Sequence, residues 1–440
     1  MRDDGGVLPC SGDEFADEHA APCLPTFSVD AEGFIGAESG CGACHVTHVQ
    51  QWRSSAHGHA MRDPVFNALI QRQREASGSG NDRFCTQCHS PIGTRSRDIE
   101  PGYSFGELDP LTTEGVTCET CHRATSIHRP HSSGLVIDPA AALRGPMLEG
   151  EDVSASHEVV ITDLLGRSSL CGACHDVIER SGLVLEDPYQ QWLGSPAAGD
   201  RRSCQSCHMP TYRGRLTPSS EVRDGLHRHD LRGMGPSLIG SEPMSARSLE
   251  AYRARFDGVL RLSIEAEVSR DTLGVSVAVK NTVDGHAFPT GSDFNRQCWL
   301  ELRVLDEEGL VLYESGTLDA SGDLFDAFSG QANQDPDLRV LSAYLLDEDG
   351  SPTRFSWEAE GVRRNALGPL EEKVMRYRVP LGDVEGMLRV KARVRFRAYA
   401  PALLRELGLG VQVQNVPIVD IEEASVDVQV DRGVPRVAAP

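Results

Sequence analysis

Long apolar runs are missing from this 440-residue chain: no stretch approaches the ~20 consecutive apolar residues of a membrane-spanning helix. Positive charge is also scarce, with 43 Lys and Arg against 65 Asp and Glu and a formal net charge of -22. Such a surface repels phosphate, which excludes nucleic acid and leaves basic or neutral proteins as partners. The opening Met1-Arg2-Asp3-Asp4-Gly5-Gly6 lacks the apolar core of a secretory leader. Cys10 follows Leu8 and Pro9 without the apolar run that a lipidated cysteine requires. The length exceeds one typical hydrophobic core and predicts two domains.

Cysteine, by contrast, is plentiful. Ten of the thirteen cysteines fall into five copies of one pattern: Cys41-Gly-Ala-Cys44-His45, Cys85-Thr-Gln-Cys88-His89, Cys118-Glu-Thr-Cys121-His122, Cys171-Gly-Ala-Cys174-His175 and Cys204-Gln-Ser-Cys207-His208. Cys-x-x-Cys-His is the signature of covalent c-haem attachment. Two thiols three positions apart reach both vinyl groups of one porphyrin, and the adjacent histidine then lies under the ring to ligate iron. Zinc binding would pair ligands between motifs and would not place a histidine after every second cysteine. The cofactor expectation is therefore five haem c groups. Cys10 and Cys23 flank an acidic N-terminal segment, residues 1–35, and are expected to clamp it by a disulfide in an oxidising compartment. Cys298, beside Trp299, reads as a buried free thiol. The pattern points to an exported protein, periplasmic or at the cell surface, whose leader has been removed.

The surroundings of the motifs partly repeat. Cys-Gly-Ala-Cys-His, Gln51-Trp52 and Cys85-Thr-Gln-Cys-His-Ser-Pro are echoed by Cys-Gly-Ala-Cys-His, Gln191-Trp192 and Cys204-Gln-Ser-Cys-His-Met-Pro, which indicates a duplication. A 33-residue step recurs from 85 to 118 and from 171 to 204. Between motifs the chain is rich in Gly, Pro, Ser and Arg, with short helical stretches such as Val65 to Glu75. Side chains alone would not fill a core there, and porphyrin faces would supply the missing apolar surface. A mostly irregular and helical haem-packed domain is expected over residues 36–245.

The pattern changes near residue 250. Leu260, Leu262, Ile264, Ala266 and Val268 alternate with polar residues, and Val275, Val277 and Val279 continue that period. Further runs at Trp299 to Leu305, Leu310 to Glu314, Lys373 to Val379, Leu388 to Tyr399 and Ala424 to Val430 give about seven strands. An all-β, immunoglobulin-like sandwich is expected over residues 250–440. Arg389, Lys391, Arg393, Arg395 and Arg397 alternate with Val390, Ala392, Val394 and Phe396. The ordinary explanation is a solvated sheet face; the functional one is a surface that docks acidic groups.

The stretch from Cys41 through Trp52-Arg-Ser-Ser55-Ala-His57 resembles the opening of multihaem cytochromes related to the tetrahaem partner of hydroxylamine oxidoreductase. The segments Gly115-Val-Thr-Cys118, Ser169-Leu-Cys171, Cys204 to Pro210 and His229-Asp-Leu-Arg-Gly233 are similar to the same superfamily. Asn281 to Gly291, with Arg296 and Trp299, is similar to the β-domain appended to many such cytochromes. The resemblance implies that His57, in its Trp-x-x-Ser-x-His setting, is a distal iron ligand. No Cys-x-x-Cys-Lys motif occurs, which separates the chain from pentahaem nitrite reductases, and its motifs are fewer than those of octahaem enzymes.

Beyond the motif histidines, ten of the fifteen remain. Those expected as distal ligands are His57, His157 and His229, one of His128 and His131, and His286 or His59. Ligation by two histidines closes both axial positions and suits electron transfer. The leading expectation is an electron-transfer pentahaem cytochrome with redox proteins as partners, and a homo-oligomer or a haem-wire assembly is compatible with it. The alternative is an oxidoreductase acting on a small nitrogen or sulfur compound at one five-coordinate haem. A third makes the β-domain a binding module.

Overall fold

The computed structural model describes residues 34–38, 40–145, 157–240, 244–329 and 333–431. Cys10 and Cys23 therefore lie outside the described residues. The chain forms two compact units. One comprises Met1–Pro243 with Thr290–Ser292 and Leu404–Asn415, the other Met244–Pro289, Asp293–Leu403 and Val416–Pro440.

The first unit is built from short helices and two-stranded pairs. The helix expected from Val65 to Glu75 runs over Pro64–Ser77. Asp63 caps it, accepting from the Val65 and Phe66 amides at 2.8 and 3.0 Å, and Pro64 supplies a preset φ where no N–H is needed. Gly78, at φ 77°, ends it. The apolar side chains gather in small groups, and these end on motif residues. Ala37, Val49 and Trp52 pack with Cys41 and Cys118, Met61, Phe66, Ile70 and Ile99 with Cys85, and Ala124, Leu135, Ile137 and Leu164 with Ala173 of the fourth motif. Each group holds an attachment motif by burying what little apolar area the segment has.

The second unit is β-rich. Strands Glu372–Pro380, Thr272–Asn281 and Leu260–Ser269 form one antiparallel sheet in that order. Val311–Ser315, Gln297–Leu305, Gly386–Arg397 and Val419–Val430 form another, with Arg339–Val340 also paired to Gln297–Leu305. Alternation dictates which face is buried: Leu273, Val275, Val277 and Val279 point inward from the first sheet, and Leu388, Val390, Ala392, Val394 and Phe396 from the second. Cys298 is a fully buried free thiol within this packing, and the Phe256 and Phe396 rings meet at 4.9 Å.

The arginine-rich strand is neutralised by its own sheet. Arg393 and Arg395 reach Glu301 at 2.7 and 2.6 Å and Asp420 at 2.9 and 2.8 Å. Arg389 meets Asp427 at 2.8 Å, and the buried Arg397 donates to Gln297 at 2.5 Å. Cross-strand carboxylates consume this charge, which favours the sheet-face explanation over a docking stripe.

Candidate haem-attachment site

Four of the five motifs lie on α-helical turns: Asp82–His89, Cys118–His122, Ser168–His175 and Cys204–His208 each end at the motif histidine. The first sits on the 3-10 turn Cys41–Ala43, just before the helix Val46–Arg53. A helical turn puts positions three apart on one face, so both thiols of a motif present to the same side.

Thiols of different motifs also meet. Cys41 lies near Cys118, Cys88 near Cys174, and Cys171 near Cys204, while Cys121 lies close enough to Cys174 for the two to interact electrostatically. The fourth motif is thus the junction: it abuts the second, third and fifth, and the third abuts the first. Polar contacts reinforce this. The Cys204 amide donates to Ser168 Oγ at 3.1 Å, and Gln205 Nε2 donates to the carbonyls of Leu165 and Arg167, each at 2.9 Å.

Backbone carbonyls hold the motif imidazoles in one tautomer. His89 Nδ1 meets the Ala60 carbonyl at 3.1 Å, His122 Nδ1 that of Arg144 at 2.6 Å, and His208 Nδ1 that of Arg232 at 2.7 Å. A carbonyl only accepts, so Nδ1 carries the proton and Nε2 keeps its lone pair for a metal. Burial pushes the His89 and His122 imidazoles below the ordinary histidine range and favours that neutral form.

Three motif imidazoles face a second imidazole. Ring centroids are 6.2 Å apart for His45 and His157, 5.9 Å for His57 and His175, and 6.3 Å for His122 and His229. Two imidazoles each bound at ~2 Å to one metal ion have centroids ~6 Å apart, so these separations suit an iron between them. His57 and His229 are each lowered to about 3 by burial first and then by neighbouring histidines. His229 Nδ1 donates to the His227 carbonyl at 2.9 Å, which again frees Nε2. With paired thiols, neutral imidazoles and this spacing, the residues present fit haem c.

The other expected ligands are placed differently. His59, on the turn His57–His59, is half-buried, and its Nδ1 has no hydrogen-bond partner among the described residues. His128 is exposed and His131 half-buried in the loop between strands Ala124–Ile127 and Leu135–Ile137. His286 belongs to the second unit, its Nδ1 bonded to the Ala287 carbonyl at 2.8 Å. His48, which was not singled out, lies 4.7 Å from the His229 ring with Nε2 3.4 Å from the Tyr212 hydroxyl, and burial lowers it to about 4. Its position one helical turn after His45 was the signal available in the sequence.

The duplication has a structural form that differs from its sequence form. Trp52 Nε1 donates to the Val116 carbonyl at 2.7 Å and Trp192 Nε1 to that of Arg202 at 2.9 Å. Both acceptors stand two residues before a motif. Ser55 and Ser195 each return Oγ to the carbonyl of their tryptophan at 2.7 Å and accept from the Gly58 and Ala198 amides at 3.4 and 3.3 Å. The structure therefore matches the first and third motifs with the fourth and fifth, whereas the sequence echo matches the first and second with them. Ala197 occupies the place of His57 in the second copy.

Residues 40–123 match the family model described as cytochrome c554 and c-prime. A solved structure titled as a penta-heme cytochrome c552 from Thermochromatium tepidum covers 90% of this chain and 99% of that one, with a TM-score of 0.63 and 20% identity. Residues 40–123 are thus similar to a multihaem c-type cytochrome family. At 20% identity the second likeness shows a shared fold for this chain. A chain from Bacteroides fragilis overlaps 40% of this chain and 16% of its own length at 12% identity and a TM-score of 0.17, which carries no argument. Among curated proteins none matches.

Proposed function

We propose that this cytochrome transfers electrons through five haem c groups, attached in a domain over residues 36–245 and ligated mainly by paired histidines, outside the cytoplasm. Haem c supplies a one-electron iron couple when bound. The observation that carries the reading is the facing of His45, His175 and His122 by His157, His57 and His229 at 5.9 to 6.3 Å. Imidazoles on both faces leave no position for a substrate and hold the ligand set fixed through a redox cycle, which keeps reorganisation small. The contacts between motifs keep attachment sites close, and tunnelling falls off exponentially with distance, so the route runs from the first motif through the third to the fourth, with branches to the second and fifth.

Residues 250–440 are proposed as an immunoglobulin-like sandwich that orients the cytochrome toward a redox partner protein. Eight strands in two antiparallel sheets, with period-two burial, support that fold.

The test is the mass of the protein matured in a host with c-haem assembly machinery, read with its ferric and ferrous spectra. Five haems and low-spin spectra are expected; no covalent haem overturns the reading. One observation favours a second reading. The His89 imidazole stacks on Phe66 at 3.9 Å and 10°, and that ring contact is with a phenyl rather than an imidazole. A five-coordinate haem at the second motif, acting on a small nitrogen or sulfur compound, would show a high-spin ferric signal that cyanide or nitrite perturbs.

A further inference from the structure

Arg95 closes the helix Pro91–Arg95 and is only 4% exposed. A buried guanidinium ordinarily has a carboxylate beside it, because an unpaired buried charge is costly. Among the described residues Arg95 has no such partner. Its Nη2 donates to the carbonyl and Oγ of Ser133 at 3.2 and 3.4 Å, and its Nη1 has no hydrogen bond. It lies near Cys174 and Cys88, the second cysteines of the fourth and second motifs.

Its anchor ties the same two motifs together. The Ser133 amide donates to the Ala173 carbonyl at 2.6 Å, inside the fourth motif, and Ser133 Oγ donates to the Gln87 carbonyl at 2.8 Å, inside the second. Ser132 and Ser133 adopt φ of 44° and 64°, a left-handed conformation unfavourable for serine. The strain is held by Ser132 Oγ, which accepts from the Ile178 amide at 3.0 Å, and by its own amide, which donates to the Asp176 carbonyl at 2.8 Å. A strained loop, tied at both ends, thus holds a buried guanidinium beside two attachment motifs.

We propose that Arg95 sets the reduction potentials of the haems carried by the second and fourth motifs, an inference that rests on the haem reading above. Reduction removes one positive charge at iron, so a fixed buried cation nearby favours the reduced state and raises the midpoint. Arg95 acts through this field as a positioning residue for charge and has no part in ligation.

The experiment is spectroelectrochemical titration of the matured full-length protein after mass spectrometry has counted its haems. Arg95→Gln keeps a donor for Ser133 and removes the charge. Two midpoints are expected to fall by about tenfold in the reduction equilibrium, ~59 mV for a one-electron couple, while Arg95→Lys holds them near the wild-type values. Exposed Arg72→Gln is the control and leaves all midpoints in place. Ser133→Asp, tolerated at a left-handed φ, sets a carboxylate against the guanidinium and is expected to lower the same two midpoints. It decides the matter if Arg95→Gln does not mature. Unchanged midpoints in haem-loaded Arg95→Gln or Ser133→Asp, or an equal fall in Arg95→Lys, would overturn the proposal. Absence of covalent haem from the wild type would instead sink the haem reading beneath it.

Discussion

Single hydrogen bonds decide which nitrogen of each key histidine is available. Because backbone carbonyls accept from Nδ1 of His89, His122, His208 and His229, Nε2 of each is left to bind. His57→Ala, His157→Ala and His229→Ala should each convert one haem's worth of absorbance to high-spin ferric, read in the near-infrared and by electron paramagnetic resonance. His128→Ala, at an exposed position, should leave the spectrum unchanged. Trp52→Phe should lower stability by about 1–3 kcal/mol, because the half-buried Val116 carbonyl loses its donor. Trp192→Phe should cost less, since Trp192 is only half-buried. Thermal melts of the matured proteins check both.

Among the elements, the sheet containing Gln297–Leu305 and Gly386–Arg397 is held by a carboxylate that its pattern does not advertise. Glu301 is 3% exposed and serves both Arg393 and Arg395. Glu301→Ala would leave those guanidiniums with Asp420 alone and should destabilise this unit by about 1–3 kcal/mol, measured by denaturant unfolding. At the exposed edge of the same sheet, the hydrogen bond from Arg389 holds the Asp427 carboxyl below its usual range. A lowered carboxyl stabilises above the unfolded aspartate pKa of ~3.9 and loses that contribution as pH falls through the folded value. Asp427→Asn should therefore be slightly less stable than wild type at neutral pH, with the difference closing below pH ~4. The strands themselves were legible as alternating runs, because burial on one face imposes period two. The short pairs Ala124–Ile127 with Leu135–Ile137 and Thr211–Arg215 with Val222–His227 were not, because three to six residues carry too little periodicity.

For the whole molecule, the junction at the fourth motif gives a distinct prediction. Cys171→Ser with Cys174→Ser should remove one haem by mass and slow electron redistribution among the others after flash photoreduction. Cys204→Ser with Cys207→Ser, at a branch end, should remove one haem and leave redistribution among the rest fast. Equal slowing in both variants would rule out a branched route. The sequence by itself determined the cofactor chemistry, the number of attachment motifs and the change from haem-packed to strand-patterned chain, since each depends on residue types at fixed local spacing. Only the tertiary structure decided which motifs abut, that His57 faces His175 and His229 faces His122, that the first and third motifs match the fourth and fifth, and that Arg95 is buried beside two of them. Those relations join residues tens to more than a hundred positions apart, and only packing brings such residues together.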